Sequence, residues 1–232
     1  MSIRSSMHGV GRKMLESLLN ADGGGHRGTA IPCDKGHTAV FVDYREKKLL
    51  TILGEVSVKR AYYHDQQCHS GFCPKDDSLD IAGTSYSPGV RRLMSTVGAM
   101  RPFDLGHKDL AVLAGIRVNA KEVERQAHIV GEQVEQFHQE QANDALSNNA
   151  IPIMAVPRMY ISMDGTGVPV VKSETAGRRG KEGGQAKTRE AKLGCVFTQT
   201  GQDKDGRPLR DEQSTSYIGA IEKADEFAKR LY

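Results

Sequence analysis

The 232-residue chain has no apolar run long enough to cross a membrane. Its first residues carry no hydrophobic signal segment. Together these absences predict an intracellular protein with no membrane partner. Only four cysteines occur, Cys33, Cys68, Cys73 and Cys195. In an intracellular chain they read as reduced thiols or metal ligands rather than disulfides. There is no Walker loop and no serine-hydrolase elbow, so neither of those chemistries is indicated. Repeats and low-complexity tracts are also missing. The formal net charge of +3 says little alone; where the charges sit says more.

Residues 5–19 have the period of a short helix, with Val10, Met14, Leu15 and Leu18 on one face, and the Gly-rich stretch from Asn20 to Gly28 ends it. Ala39–Val42 and Leu49–Ala61 read as strands joined by a charged turn at Tyr44–Lys48. Val56, Val58 and Arg60 alternate with Glu55, Ser57 and Lys59. Asp65–Ser85 is polar and reads as loop. Ser87-Pro88 starts a helix, with Ser as N-cap and Pro at the first helical position; Val90, Leu93, Met94 and Val97 form its apolar face. A second helix runs from about Leu105 to Ala114 and stops at Gly115. Asn119 caps a third, through about Gln139, with Val123, Ala127, Val130 and Val134 inward. Helix, Gly-containing turn and capped helix is the spacing of a helix-turn-helix.

Asn143–Pro157 is the best linker in the chain. Beyond it, Met159, Ile161 and Met163 alternate with Tyr160, Ser162 and Asp164, the period of a half-buried strand. That strand ends on a carboxylate followed by Gly165-Thr166-Gly167. An acid there can hold a metal ion against a phosphate; Asp-Gly also opens turns, and the segment alone leaves both readings open. A strand at Lys192–Thr200, a turn at Gly201–Pro208, a strand near Thr215–Gly219 and a helix from about Ala220 complete the pattern. The helical period is still running at Tyr232, so the chain reads as a fragment.

Three constellations carry chemistry. The loop Lys172–Lys192 holds Arg178, Arg179, Lys181, Lys187 and Arg189 among glycines, a mobile basic loop suited to a phosphate backbone; a merely solvated loop has the same composition. Arg117, Asn119, Lys121 and Arg125 lie at the start of the capped helix, the end that meets bases in a helix-turn-helix. Glu122, Glu124, Glu132 and Glu135 speak against DNA there and for plain helix packing. Cys33, His37, Cys68 and Cys73 flank a hairpin as zinc ligands do. Their spacings, Cys33-x3-His37 and Cys68-x4-Cys73, are not the usual knuckles, whereas Asp65-x2-Cys68 has knuckle spacing with a carboxylate. Cys195, in an apolar strand, reads as a small core residue.

The chain resembles bacterial insertion-sequence transposases of the ISKra type, a DDE-class family with an RNase H-like catalytic domain. The resemblance spans nearly all of it. It is carried by Leu18-Leu19-Asn20-Ala21-Asp22-Gly23-Gly24, Arg60-Ala61-Tyr62-Tyr63-His64, Gly71-Phe72-Cys73-Pro74-Lys75-Asp76 and Ser87-Pro88-Gly89-Val90-Arg91-Arg92. Two longer segments add to it, Tyr160–Pro169 and Ala186–Gln199. The resemblance implies that Asp164 is the first acid of the catalytic triad and a ligand for Mg²⁺ or Mn²⁺. It implies a zinc-ribbon-like N-terminal region, but Lys35 and Asp65 stand where the family carries Cys, a departure that leaves Zn²⁺ binding open. It further implies helices that bind element ends, a homo-oligomeric parent enzyme, and a bacterial cytoplasmic, nucleoid-associated protein. In the family the second Asp and the Glu lie further downstream than Tyr232.

The expected fold is therefore a multidomain α+β or α/β chain. Residues 1–28 form a helix and Gly-rich linker, 29–86 a degenerate zinc-ribbon-like β region, 87–142 a helix-turn-helix region, 143–157 a linker, and 158–232 the first half of an RNase H-like domain. The expected function is that of an N-terminal fragment of a DDE transposase, binding transposon-end and target DNA. In the full-length parent, two Mg²⁺ ions about 4 Å apart would drive cleavage and strand transfer. The alternative is a non-catalytic DNA-binding remnant or inhibitor of transposition.

Overall fold

The computed structural model describes residues 3–147, 158–180 and 183–231. The architecture is mixed α+β, divided into two compact units, Met1–Asn148 and Asn149–Tyr232. Most of the linker expected at 143–157 lies outside the described residues.

The first unit is organised by a long antiparallel hairpin, β2 (Thr38–Thr51) and β3 (Gly54–Asp65). Its two-residue tip is Ile52-Leu53. Thr51 Oγ1 donates to the Gly54 carbonyl at 2.7 Å and accepts from the Leu53 amide at 3.2 Å, and Gly54 takes a positive φ of 117°. That φ suits glycine alone among common residues. The turn therefore forms at residues 52–53, and the charged stretch expected to turn, Tyr44–Lys48, runs inside β2. Its charges are matched in place. The Arg45 guanidinium lies 3.3 Å over the Tyr62 ring, Lys47 donates to the Ile81 carbonyl at 2.6 Å, and Lys48 pairs with Glu55 at 3.4 Å.

Short strands complete a four-stranded sheet in the order β1-β2-β3-β4, with β1 at Ala30–Pro32 and β4 at Ser70–Phe72. The stretch read as loop, 65–85, thus holds β4 and a short helix, α2 (Pro74–Ser78). Helix α1 (Ile3–Asn20) lies against β3. Asn20 bridges them, donating to the Ser57 carbonyl and accepting from the Lys59 amide at 2.7 Å. The face of α1 that packs carries Leu15 and Leu19, beside Leu49, Val56, Val58 and Ile81. Val10, Met14 and Leu18, expected inward with Leu15, are exposed. The Asn20 bridge to β3 fixes which stripe of the helix faces the hairpin.

Three helices follow: α3 (Pro88–Met100), α4 (Phe103–Asp109) extended by a π-turn at Leu110–Ala114, and α5 (Ala120–Ser147). Val90, Met94, Leu110, Ile116 and Val123 form their core, and Leu50 and Tyr86 pack onto it from the hairpin side. Ser87 Oγ caps α3 by accepting from the Val90 amide, and Gly115 (φ 71°) ends the π-turn. Asn119 Oδ1 accepts from the Glu122 amide at 2.8 Å, capping α5. Val123 is buried as expected, but Val134 is 48 % exposed, because α5 runs on past the helices that cover its first turns.

The second unit contains a three-stranded antiparallel sheet in the order β5-β6-β9: β5 (Met159–Pro169), β6 (Thr188–Thr198) and β9 (Ser216–Ala220). A small hairpin, β7 (Gly201–Gln202) and β8 (Pro208–Leu209), connects β6 to β9, and α6 (Ala224–Leu231) follows. Phe227 of α6 is fully buried.

Because the Asn119 cap satisfies an otherwise open amide at the start of α5, Asn119→Ala is expected to lower unfolding stability by about 1 kcal/mol. Asn119→Asp should retain nearly all of it. Thermal or urea unfolding followed by circular dichroism checks both.

Candidate metal centre

The β1–β2 and β3–β4 turns lie at the same end of the sheet, because Val40 of β2 pairs with His64 near the end of β3. The first turn runs from Cys33 to His37. The Cys33 amide donates to the His37 carbonyl at 2.8 Å, and Gly36 (φ 80°) lets the chain reverse. In the second turn Asp65 Oδ1 accepts from the Gln67 amide at 2.8 Å and the Cys68 amide at 3.1 Å. The two turns bring one ligand atom each from Cys33, His37, Asp65 and Cys68 within 4.8 Å of one another. Among the described residues this is the one group of His, Cys, Asp and Glu with a metal-holding arrangement.

Inside it, His37 Nδ1 lies 3.0 Å from Cys68 Sγ and 3.7 Å from Asp65 Oδ2, and the two sulfurs are 3.9 Å apart. Asp65 is fully buried. Its Oδ1 is spent on the turn amides, while its Oδ2, also buried, has no hydrogen-bond donor. A buried carboxylate oxygen without a partner costs free energy unless something positive meets it. This oxygen faces two thiols and an imidazole, so the donor set fits a metal ion.

The electrostatics agree. The Cys33 thiol and the Cys68 amide beside it hold the Asp65 carboxyl well below the usual carboxylate range. Burial, then the Asp65 carboxylate, pushes the Cys68 thiol up to about 11. Without a metal the site therefore keeps Cys68 protonated beside an ionised Asp65. A divalent cation would displace the thiol proton and neutralise the carboxylate together.

Behind the cluster an aromatic layer fixes both turns. Tyr63 is fully buried, donates from its hydroxyl to the Gly28 carbonyl at 3.0 Å, and lies against Phe41 and Phe72. On the other face of the sheet, a Cβ at Gly71 of β4 would sit 1.9 Å from the Tyr62 hydroxyl oxygen, so a larger residue there would have to displace that ring.

Cys73, grouped with the ligands on sequence spacing, is not among them. It is buried at the start of α2, where burial raises its thiol pKa, and Asp65 holds the fourth place instead. The strand register decides this: Phe72 pairs with Tyr63, so Cys73 has left the sheet beyond the turn that carries Cys68. The Asp65-x2-Cys68 spacing was the signal that pointed to the correct acid.

The other candidate residues fall in different places. Asp164, expected at the end of its strand, sits midway along β5, which pairs with β6, and its carboxylate accepts from the adjacent Gly165 amide at 2.8 Å. No second acid joins it in a metal-holding group among the described residues. Asn119 is spent on its cap, and Arg125 forms an ion pair with Glu122 at 2.6 Å, while Arg117 and Lys121 are exposed. In the loop between β5 and β6, Arg178, Arg179 and Lys187 are exposed. Arg189 instead braces the loop, pairing with Glu174 at 3.5 Å and donating to the Ile221 carbonyl at 2.8 Å. Lys181 lies outside the described residues. Cys195 is half-buried in β6 opposite Ser162.

The centre should take up one Zn²⁺ or Co²⁺ probe ion per chain, with Co²⁺ showing the visible bands of a tetrahedral site. Asp65→Ala and Cys68→Ser should each lower affinity by about 10-fold or more, and Cys73→Ser should leave it unchanged. Since the Cys68 thiol must lose its proton to bind, apparent affinity should rise with pH. Competition with a chelator at pH 6 and pH 8 gives the sign, and weaker binding at pH 8 contradicts the assignment.

No protein-family model matches this chain and no curated protein matches it in sequence, so the part the centre plays rests on its own geometry.

Proposed function

We propose that the chain is a DNA-binding fragment of a DDE-type transposase, with a zinc-stapled β region, a helix-turn-helix region and the first part of an RNase H-like domain. The observation that carries the reading is the setting of Asp164. Its strand β5 is an edge strand whose Met159, Ile161 and Met163 are 59 %, 41 % and 51 % exposed. An open, apolar edge of this kind is a liability in a finished sheet and is what an incomplete RNase H-like sheet would present.

Zinc is the metal for the first unit. Thiolate, imidazole and carboxylate are its ordinary ligands, and a tetrahedral ion with Zn–S bonds of about 2.3 Å separates two sulfurs by about 3.8 Å. The 3.9 Å between Cys33 and Cys68 matches that edge. Its task is to clamp the two turns together. In the parent enzyme, Asp164 would be one of several carboxylates holding Mg²⁺ or Mn²⁺, ions that activate a water or 3′-hydroxyl and stabilise the leaving oxygen.

DNA contact would come from two surfaces. Arg178, Arg179 and Lys187 in the β5–β6 loop are placed to neutralise phosphates, and Arg117 and Lys121 flank the start of α5. Helix α5 as a base reader is weakened by the Arg125–Glu122 pair. A second reading, a non-catalytic remnant or inhibitor that occupies element ends, is favoured by the absence of Asp164 from any metal-holding group of three or more ligands among the described residues.

Gel shifts with terminal-repeat and random DNA test the proposal. Binding should fall steeply between 50 and 200 mM salt, and the Arg178→Ala/Arg179→Ala double variant should reduce the slope against log salt by about 2. The absence of any shift at low salt would overturn it. With Mg²⁺ present, the purified chain should leave end-containing DNA uncut, since one carboxylate cannot hold two ions. Cleavage that Asp164→Ala abolishes would show instead that the chain is catalytic alone.

A further inference from the structure

The metal centre has a second chemistry available. Two of its four donors are sulfurs 3.9 Å apart, both half-buried rather than sealed, and the side chain of His37 beside them is 40 % exposed. Cys73 offers the internal contrast, being buried and outside the cluster. A disulfide needs its sulfurs at about 2.05 Å, a closure of about 2 Å that side-chain rotation can supply when the backbone carriers are already opposed. Here they are opposed, since the two turns sit side by side at one end of the sheet.

We propose that Cys33 and Cys68 form a redox-reactive pair: a hydroperoxide oxidises the metal-bound thiolates to a disulfide and the ion leaves. One thiolate attacks a peroxide oxygen, forming a sulfenic acid and, with one proton taken up, releasing water from hydrogen peroxide. The second thiolate attacks the sulfenic sulfur and displaces hydroxide, which a proton converts to a second water. Two electrons pass from the sulfurs to the peroxide, and two protons are consumed. A bound ion would then be left with the His37 imidazole and the Asp65 carboxylate alone, too few donors to retain it tightly. A dithiol reductant reverses the change.

A feature of the site favours release over mere damage. The Asp65 carboxylate is held in place by the Gln67 and Cys68 amides, not by the metal. The second turn therefore keeps its shape when the ion departs, and Cys68 stays beside Cys33. The inference rests on the metal centre alone and not on DNA binding, so gel-shift failure leaves it standing.

The test uses the full chain loaded with Zn²⁺. Hydrogen peroxide is added in the presence of a chromogenic chelator, and zinc release, free thiols and intact mass are followed together. The expected result is release of the bound zinc with loss of two thiols and of about 2 Da, the two hydrogens of a disulfide. Peptide mapping should join Cys33 to Cys68, and dithiothreitol with added Zn²⁺ should restore the starting state. Cys73→Ser and Cys195→Ser should behave like the parent chain. Cys33→Ser, if it still folds and binds Zn²⁺ weakly, should form no intramolecular disulfide. Zinc retention under peroxide, a disulfide involving Cys73 or Cys195, or irreversible gain of oxygen at Cys68 would each overturn the proposal.

Discussion

Everything in the first unit depends on the register of the β2–β3 hairpin. Side chains on a strand alternate between faces, so a slip of one residue would exchange the buried set for the exposed one. The tight turn at Ile52-Leu53 sets the register from one end. A bulge between Phe41 and Asp43 resets it near the other, opposing Phe41 to Tyr63 and Val40 to His64. With that register, Ala61, Tyr63 and Asp65 fall on one buried face. The last of them is delivered to the end of the sheet where Cys33 and His37 turn back.

The metal centre is thus a consequence of sheet geometry more than of a compact motif. Two hairpins, each with its own hydrogen-bonded turn, supply two donors apiece. The aromatic layer of Phe41, Tyr63 and Phe72 holds the turns from behind, and His26 meets Phe41 edge-on at 4.8 Å between ring centroids. What lacks a well-formed hydrogen bond at the centre is one buried carboxylate oxygen, with His37 Nδ1 3.7 Å away. That orphan makes the site chemically expectant, since a cation there would satisfy the oxygen and release a thiol proton in the same event. The same paired sulfurs that suit a metal also suit two-electron oxidation, so the proposed clamping and redox sensitivity would arise from one arrangement.

The second unit poses the opposite case. Asp164 has a well-formed strand beneath it, but it joins no metal-holding group among the described residues, and its carboxylate turns to its own chain at Gly165. The neighbouring basic loop is ordered by side chains that sequence alone would have assigned to nucleic acid. Arg189 is the clearest, being engaged by Glu174 and the Ile221 carbonyl. Among the described basic residues from Lys172 to Arg189, Lys172, Arg178, Arg179 and Lys187 are exposed and Arg189 is half-buried.

Local signals sufficed for much of this. Ser87-Pro88, Gly115 and Asn119 marked helix ends because capping and left-handed turns are decided within a few residues. The alternation in 159–164 marked a strand, although Met159–Asp164 of β5 is exposed on both faces rather than half-buried. The sequence by itself determined these elements and the residue types available for metal and phosphate chemistry. Only the tertiary structure decided that Tyr44–Lys48 is strand, since the turn belongs to whichever residues close the hairpin. It also decided that Leu15 and Leu19, not Val10 and Met14, face the core. And it brought Asp65 and Cys68 together with Cys33 and His37 and left Cys73 out, because that grouping depends on which strands pair and in what register, a relation between residues distant in sequence that the Asp65-x2-Cys68 spacing hints at for one turn only.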